Sequence, residues 1–359
     1  MLTREKLLTG KKILVTGGAG FLGYHLAQLL PKFGVAFLAF NDIADFPSGE
    51  YPEGSLLAKV DVRDQQAMEK LICDNKIDTI IHAAAALPLW KKEEIFSTNV
   101  DGVRITLSAA QRNGVEKFIF ISSTAVYGVP DKHPIIETDE LVGVGNYGIT
   151  KILGENICKD YLSNGMNITI IRPKTFIGSA RLGIFQILYD WVDGGKRIPI
   201  IGPGTNRYQL LEVTDLVEAI VLAIHADLKM SNDIFNVGAE VFQQVKKDVG
   251  ALCNFAGTGA RPMPTPAGLV KPVLAFFELI GVSPLYKWVY GTADKDSYVS
   301  TEKIKNALGW SSRLSNEDAL ITSHKWYLEH KDELLRKGAG ISHRAAWDQG
   351  VLRWFKRWL

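Results

Sequence analysis

The sequence predicts an α/β fold: a doubly wound parallel sheet followed by a smaller C-terminal α/β domain. Three observations carry this. A β-branched apolar run at 13–15 stops at glycines that lead into a helical pattern with Leu22, Leu26, Leu29 and Leu30 on one face. Further apolar runs at 35–40, 56–60, 77–81 and 118–121 alternate with amphipathic stretches such as 95–113, which is the rhythm of βαβ units. And 359 residues, 47% of them hydrophobic, suffice for a full core and for two domains or one large α/β unit.

The glycines are spaced Gly17-x-x-Gly20-x-x-Gly23. Gly17 permits a tight turn, Gly20 removes a side chain where backbone must approach a pyrophosphate, and Gly23 lets the helix pack on the strand. The amides opening that helix, Phe21 and Leu22 among them, sit at its positive end and suit an anion. The second run ends at Asn41-Asp42. An acid at this strand tip accepts hydrogen bonds from adenosine ribose hydroxyls and repels a 2′-phosphate, so NAD is expected rather than NADP. Asp42 is the choice, with Asn41 or Asp45 as alternatives if the turn is shifted. After the fourth run come His82-Ala83-Ala84-Ala85-Ala86, small residues past a strand end that suit either a flat ligand or a tightly packed helix start.

The fifth run ends in Ser122-Ser123-Thr124-Ala125-Val126-Tyr127-Gly128, and Asn146-Tyr147-Gly148-Ile149-Thr150-Lys151 opens a helical segment. Tyr147 and Lys151, four positions apart, share a helical face, so an ammonium near the phenol would favour the phenolate. Ser123 would orient a substrate oxygen, and Thr124 would point to the opposite side if this stretch is a strand.

Taken together, the glycine triplet, Asp61-Val62, His82-Ala83-Ala84, Asn99, Ser122-Ser123-x-x-Val126-Tyr127-Gly128, Tyr147-x-x-x-Lys151, Arg172-Pro173, Phe235-Asn236-Val237-Gly238 and Leu308-Gly309-Trp310 resemble the extended short-chain dehydrogenases/reductases over roughly residues 10 to 330. The resemblance implies a Rossmann-type core of residues 1–174 with strands returning around 208–240 and a mainly substrate-binding region at 175–330; beyond it, the residue pattern of 331–359 reads as a basic amphipathic tail. It implies Ser123, Tyr147 and Lys151 as catalytic residues and a structural role for Asn99. Cofactor contacts would come from Gly17, Gly20, Phe21, Leu22, Gly23, Asp42, Asp61, Val62, Ala83, Ala84, Ala85, Tyr147, Lys151 and Pro173. By analogy with the family a homodimer is expected.

The family divides between nucleotide-linked sugars and hydroxysteroid or sterol substrates. Thr124 and Ala125 stand where sugar dehydratases carry an Asp-Glu pair. Thr175 stands where many epimerases have Asn, and Tyr208 and the vicinity of Tyr290 where they have diphosphate-binding Arg; Lys287 is the cation nearest the latter. Thr124, Thr175, Arg181 and Arg207 are the candidate substrate contacts. With the apolar stretch 267–290, this gives a slight preference for NAD-dependent hydride transfer at an apolar secondary alcohol or ketone of the hydroxysteroid, sterol or lipid type. The alternatives are a nucleotide-sugar or lipid-linked-sugar 4-epimerase and a non-catalytic NAD sensor.

A net charge of +2 with scattered cations argues against nucleic acid as a partner. Cys73, Cys158 and Cys253 lie too far apart for a metal or disulfide pattern, so a reduced, cytoplasmic chain without metal is expected. The start of the chain lacks the apolar stretch of a signal peptide, and 267–286 is interrupted by Lys271, Pro272, Glu278 and Pro284, which argues against a spanning helix. In the tail, Trp347, Val351, Trp354, Phe355 and Trp358 recur at helical spacing among Arg344, Arg353, Lys356 and Arg357. Such a helix suits the headgroup region of an anionic membrane, or docks on protein.

Overall fold

The computed structural model describes residues 6–88, 90–180, 183, 185–279 and 287–337. Six strands, β1 (Lys12–Thr16), β2 (Phe37–Asn41), β3 (Leu56–Ala58), β4 (Thr79–His82), β5 (Lys117–Ile121) and β6 (Ile168–Pro173), enter one sheet in turn. The chain then leaves it for β7 (Thr175–Ile177), β8 (Arg197–Ile201) and β9 (Leu210–Glu212), returns with β10 (Ile234–Val237), and leaves again for β11 (Arg261–Thr265). The seven-stranded sheet has the order β10-β6-β5-β4-β1-β2-β3, and every pairing in it is parallel. β7 pairs with β9 and β8 with β11 in two small ribbons.

The central strands are apolar without interruption because both faces of the sheet are covered. Alternation along β1 still separates the faces. Ile13 and Val15 pack with Leu26, Phe40, Leu216, Ile220 and Phe235, whereas Leu14 packs with Val103, Leu107, Phe118, Phe120 and Ile168 on the other side. The first layer contains the helices Phe21–Leu29 and Val213–His225, and the second Gln65–Asp74, Gly102–Arg112 and Gly145–Ser163. A third core, with Ile177, Tyr189, Trp191, Leu252, Leu320 and Tyr327, holds the smaller region together. The strand order reverses between β2 and β4 on either side of β1, which opens a crevice at the carboxyl ends where such sheets bind ligands.

The structure departs from the sequence reading in two local places. The helix expected over 95–113 is broken into Lys92–Phe96, a π-helical turn Ser97–Asp101, and Gly102–Arg112. The wide turn carries Asn99 inward, where its Oδ1 accepts from the Ala86 amide (2.7 Å) and its Nδ2 donates to the Ala86 carbonyl and to Thr150 Oγ1 (both 3.1 Å). Three partners outweigh one helical register. Residues Thr124–Tyr127 form a 3₁₀ turn rather than a strand, started by Ser123, whose Oγ accepts from the Ala125 amide.

Beneath that turn lies a buried ionic network. Arg172 (1% exposed) donates to both carboxylate oxygens of Glu155 (0%) at 2.8 and 2.6 Å, to Tyr127 OH at 2.7 Å and to the Glu137 carbonyl at 3.0 Å. Ser122 Oγ donates to Glu155, and Tyr127 OH donates to Asn236 Oδ1. Glu155→Ala would strand a buried guanidinium, so it is expected to lower stability by about 3–5 kcal/mol in urea unfolding. A loss below about 1 kcal/mol would show that the network does not hold the core.

Candidate active site

The glycine turn builds a cradle at the end of β1. Gly17 has φ +71°, and a Cβ there would lie 2.7 Å from the Ala84 nitrogen, so the turn and the alanine run touch backbone to backbone. A Cβ on Gly23 would lie 2.3 Å from the Gly18 carbonyl oxygen, which explains how the helix closes onto the turn. At Gly20 an added Cβ meets only the Gly17 oxygen, at 3.1 Å. Gly20 is the N-cap of Phe21–Leu29, with no side-chain cap and no acid in the first turn. The positive end of this helix is thus left for an anion. Phe21 and Leu22 bury their side chains (3% and 6% exposed), so only their backbone can serve a ligand.

Asp42 lies half-buried at the tip of β2; its Oδ2 accepts from the Ala19 amide of the glycine turn (3.0 Å) and its Oδ1 from the Ala44 amide. The alternatives are displaced. Asn41 is fully buried, bridging the Val60 amide and Met68, and Asp45 points outward to Lys59. Arg63 grips the Asp61 carboxylate (2.5–3.1 Å) and holds it below the usual carboxylate range. Val62 is buried against Gly102 beside the π turn. His82 is a core residue: its Nδ1 meets Thr16 Oγ1 at 3.0 Å, its ring stacks near Phe118 and Phe120, and burial pushes its pKa down to about 3.

Tyr147 and Lys151 lie together on helix Gly145–Ser163, whose start is tied to the turn that Ser123 opens. The Gly143 and Val144 amides donate to the Val126 and Ala125 carbonyls (2.9 and 3.0 Å), tying the start of helix Gly145–Ser163 to the turn after β5. Gly148 permits the approach, since a Cβ there would stand 2.7 Å from the Ala125 oxygen. From the same helix Lys151 Nζ donates to the Ile121 carbonyl (2.8 Å), lying 5.7 Å from the Tyr147 ring centroid and 5.1 Å from that of Phe120. Burial lowers the Lys151 pKa to about 8. Thr124 Oγ1 donates to the Pro173 carbonyl (3.3 Å), closing the turn against the end of β6.

On the substrate side, Thr175 Oγ1 and Tyr208 OH are 2.9 Å apart, and the Arg207 guanidinium lies over the adjoining Phe242 and Tyr298 rings, 4.7 and 4.8 Å from their centroids. Arg181 and the tail segment 338–359 lie outside the described residues. Sequence reasoning missed Lys174. Its ammonium is buried (4% exposed), donates to Ser297 Oγ (2.6 Å) and lies 5.0 Å from the Tyr208 ring, with no carboxylate partner among the described residues. Its only signal in the sequence is a lysine directly after an isoleucine-rich strand and its Arg-Pro end.

With this geometry in view, the chain matches the model of the NAD dependent epimerase/dehydratase family over residues 13–238 and belongs to that family. It is 32% identical to the uncharacterised protein y4nG of Sinorhizobium fredii, covering 95% of this chain and 85% of the relative. A UDP-glucose 4-epimerase of Lactobacillus helveticus is 27% identical, with 89% and 98% covered. The solved UDP-glucose 4-epimerase of Thermotoga maritima, in complex with UDP-glucose, has the same fold: TM-score 0.75 at 23% identity, with 89% of this chain and 99% of that one covered. The cofactor is NAD, and the uncapped helix end, the open side of Gly20 and the Asp42 carboxylate fit it.

Two outcomes are expected here. Gly23→Ala forces the helix off the turn, at a cost of about 1–3 kcal/mol, or roughly ten- to hundredfold in NAD affinity by fluorescence titration. Burial lowers the Lys174 pKa to about 7, so between that pH and about 10 the unfolded chain binds the extra proton and stability rises with pH. Lys174→Met should therefore melt higher than the native chain near pH 6–7, with the gap shrinking toward about pH 10; a constant gap would contradict the burial argument.

Proposed function

We propose that this protein is a nucleotide-sugar 4-epimerase. The observation that supports the reading is the buried Lys151 ammonium 5.7 Å from the Tyr147 ring, on a helix whose start is tied to the turn that Ser123 opens, in a chain whose relatives include UDP-glucose 4-epimerases aligned over nearly their whole length. Those relatives weigh against the hydroxysteroid preference drawn from the sequence.

In this reading Tyr147 takes the proton from the sugar 4-hydroxyl and later returns it to the same oxygen, so the acid and the base are one group. Ser123 polarises that oxygen. Lys151, with donors to spare beyond the Ile121 carbonyl, holds the nicotinamide ribose and favours the phenolate. Bound NAD supplies a hydride acceptor that gives the hydride back, leaving no net oxidation. Gly17, Gly20, Gly23 and the first amides of helix Phe21–Leu29 hold the pyrophosphate, Asp42 holds the adenosine ribose, and Ala83–Ala85, Val62 and Pro173 line the rest of the groove. Asp61, already gripped by Arg63, contributes through its backbone. Arg207, Arg181 and Lys174 supply positive charge to the sugar nucleotide where Tyr208 replaces a family arginine, while Thr175 and Thr124 face the sugar. The chain assembles as a homodimer by family analogy.

Purified protein incubated with UDP-sugars should interconvert C4 epimers, read by NMR, without accumulating free NADH at 340 nm. Tyr147→Phe should lower turnover about 10²–10⁴-fold while keeping bound NAD. Stoichiometric NADH with an apolar alcohol would make the enzyme a dehydrogenase, and unchanged turnover in Tyr147→Phe would remove the catalytic assignment.

A further inference from the structure

Lys174 follows the Arg172-Pro173 end of β6, and its amide donates to the Val237 carbonyl (2.8 Å), so it sits where β6 and β10 reach the ligand-binding edge of the sheet. Its buried ammonium gives one hydrogen bond, to Ser297 Oγ. The two remaining donors have no hydrogen-bond acceptor among the described residues, and no carboxylate there offsets the charge. An ammonium desolvated in this way loses its proton readily unless an anion arrives, and burial lowers its pKa to about 7.

The Lys174 nitrogen lies 5.0 Å from the centroid of the Tyr208 ring, and Tyr208 stands where many epimerases have a diphosphate-binding arginine. On the nucleotide-sugar reading of this site, we propose that Lys174 takes the place of that arginine at the substrate diphosphate, and that the anion binds together with a proton taken up by the lysine amine. The amine lone pair takes the proton from the buffer, and the ammonium so formed faces the diphosphate oxygens. An arginine keeps its charge at every working pH; a buried lysine replaces that permanent cation with one the ligand itself calls up.

The groups around Lys174 leave this titration to it. Tyr208 shares its OH with Thr175, and burial raises its pKa, so it stays a neutral phenol. His133, within electrostatic reach of Lys174 and Asp296, is neutral above pH 7 because burial lowers its pKa. Asp296, next to Ser297, accepts from the Arg207 amide (2.7 Å), and the Arg207 guanidinium lies over the Phe242 and Tyr298 rings. Farther off, Lys151 titrates at about 8 and is common to the native chain and any variant at 174.

The test is calorimetric titration of UDP-glucose into the full, NAD-loaded chain; the diphosphate of this probe is substituted at both ends and does not itself titrate near neutrality. At about pH 7.5, buffers of different ionisation heat should show the native chain taking up about half a proton or more on binding. Its affinity should fall about tenfold or more from pH 6 to pH 9. Lys174→Met should bind about tenfold or more weakly than the native chain at about pH 6, converge with it by about pH 9, and lose the Lys174 share of the proton uptake. The uptake by the native chain is read without any variant, so it stands even if Lys174→Met fails to fold. Binding by the native chain without proton uptake, or a variant that binds like it at about pH 6, would overturn the proposal and leave the epimerase reading intact. UDP-glucose that fails to bind the native chain at every pH would remove that reading, and the proposal with it.

Discussion

The buried pairing of Arg172 with Glu155 is the constraint on which the site rests. One end comes from the last residues of strand β6 and the other from the middle of helix Gly145–Ser163, the helix that presents Tyr147 and Lys151. Ser122 and Tyr127 attach the turn after β5 to the same two charges, and Asn236 adds the edge strand β10. Two charges this deep stabilise little by themselves, because desolvation offsets most of their attraction. What they provide is a single arrangement: any shift of helix against sheet leaves a charge or a hydroxyl without its partner.

The parallel sheet and the cofactor cradle were legible in the sequence because local chemistry dictates them. A run such as Ile13-Leu14-Val15 ending in Gly17 has few other ways to fold, and Gly23 is required by a contact that a methyl group would fill. Asp42 was legible for the same reason, one residue beyond its strand. The break at Ser97–Asp101 was not, because it arises from bonds between Asn99 and residues 13 and 51 positions away. The condition set for Thr124, that its stretch be a strand, is not met because Ser123 caps its own turn, a local bond that competes with extension.

The substrate side was the least legible. Tyr208 and Thr175 were identified only by what they replace, and the structure pairs them with each other. Arg207 was read as a candidate substrate contact, and its guanidinium lies over two adjoining aromatic rings contributed by residues 35 and 91 positions further on. Lys174 drew no notice because one lysine at a strand end carries no pattern; its weight comes from burial, which only the assembled fold confers.

The chain passes between its cores repeatedly. After β6 it leaves for β7, Leu211 and Val213 bring it back to the sheet layer, β10 is followed by Leu252 in the third core, and Ile304 and Trp310 return before Leu320 departs again. A seam crossed so many times has no lone linker about which to swing. Admission of a large ligand must come from small concerted yielding along all the crossings, so stiffness at any one of them governs how wide the mouth can gape.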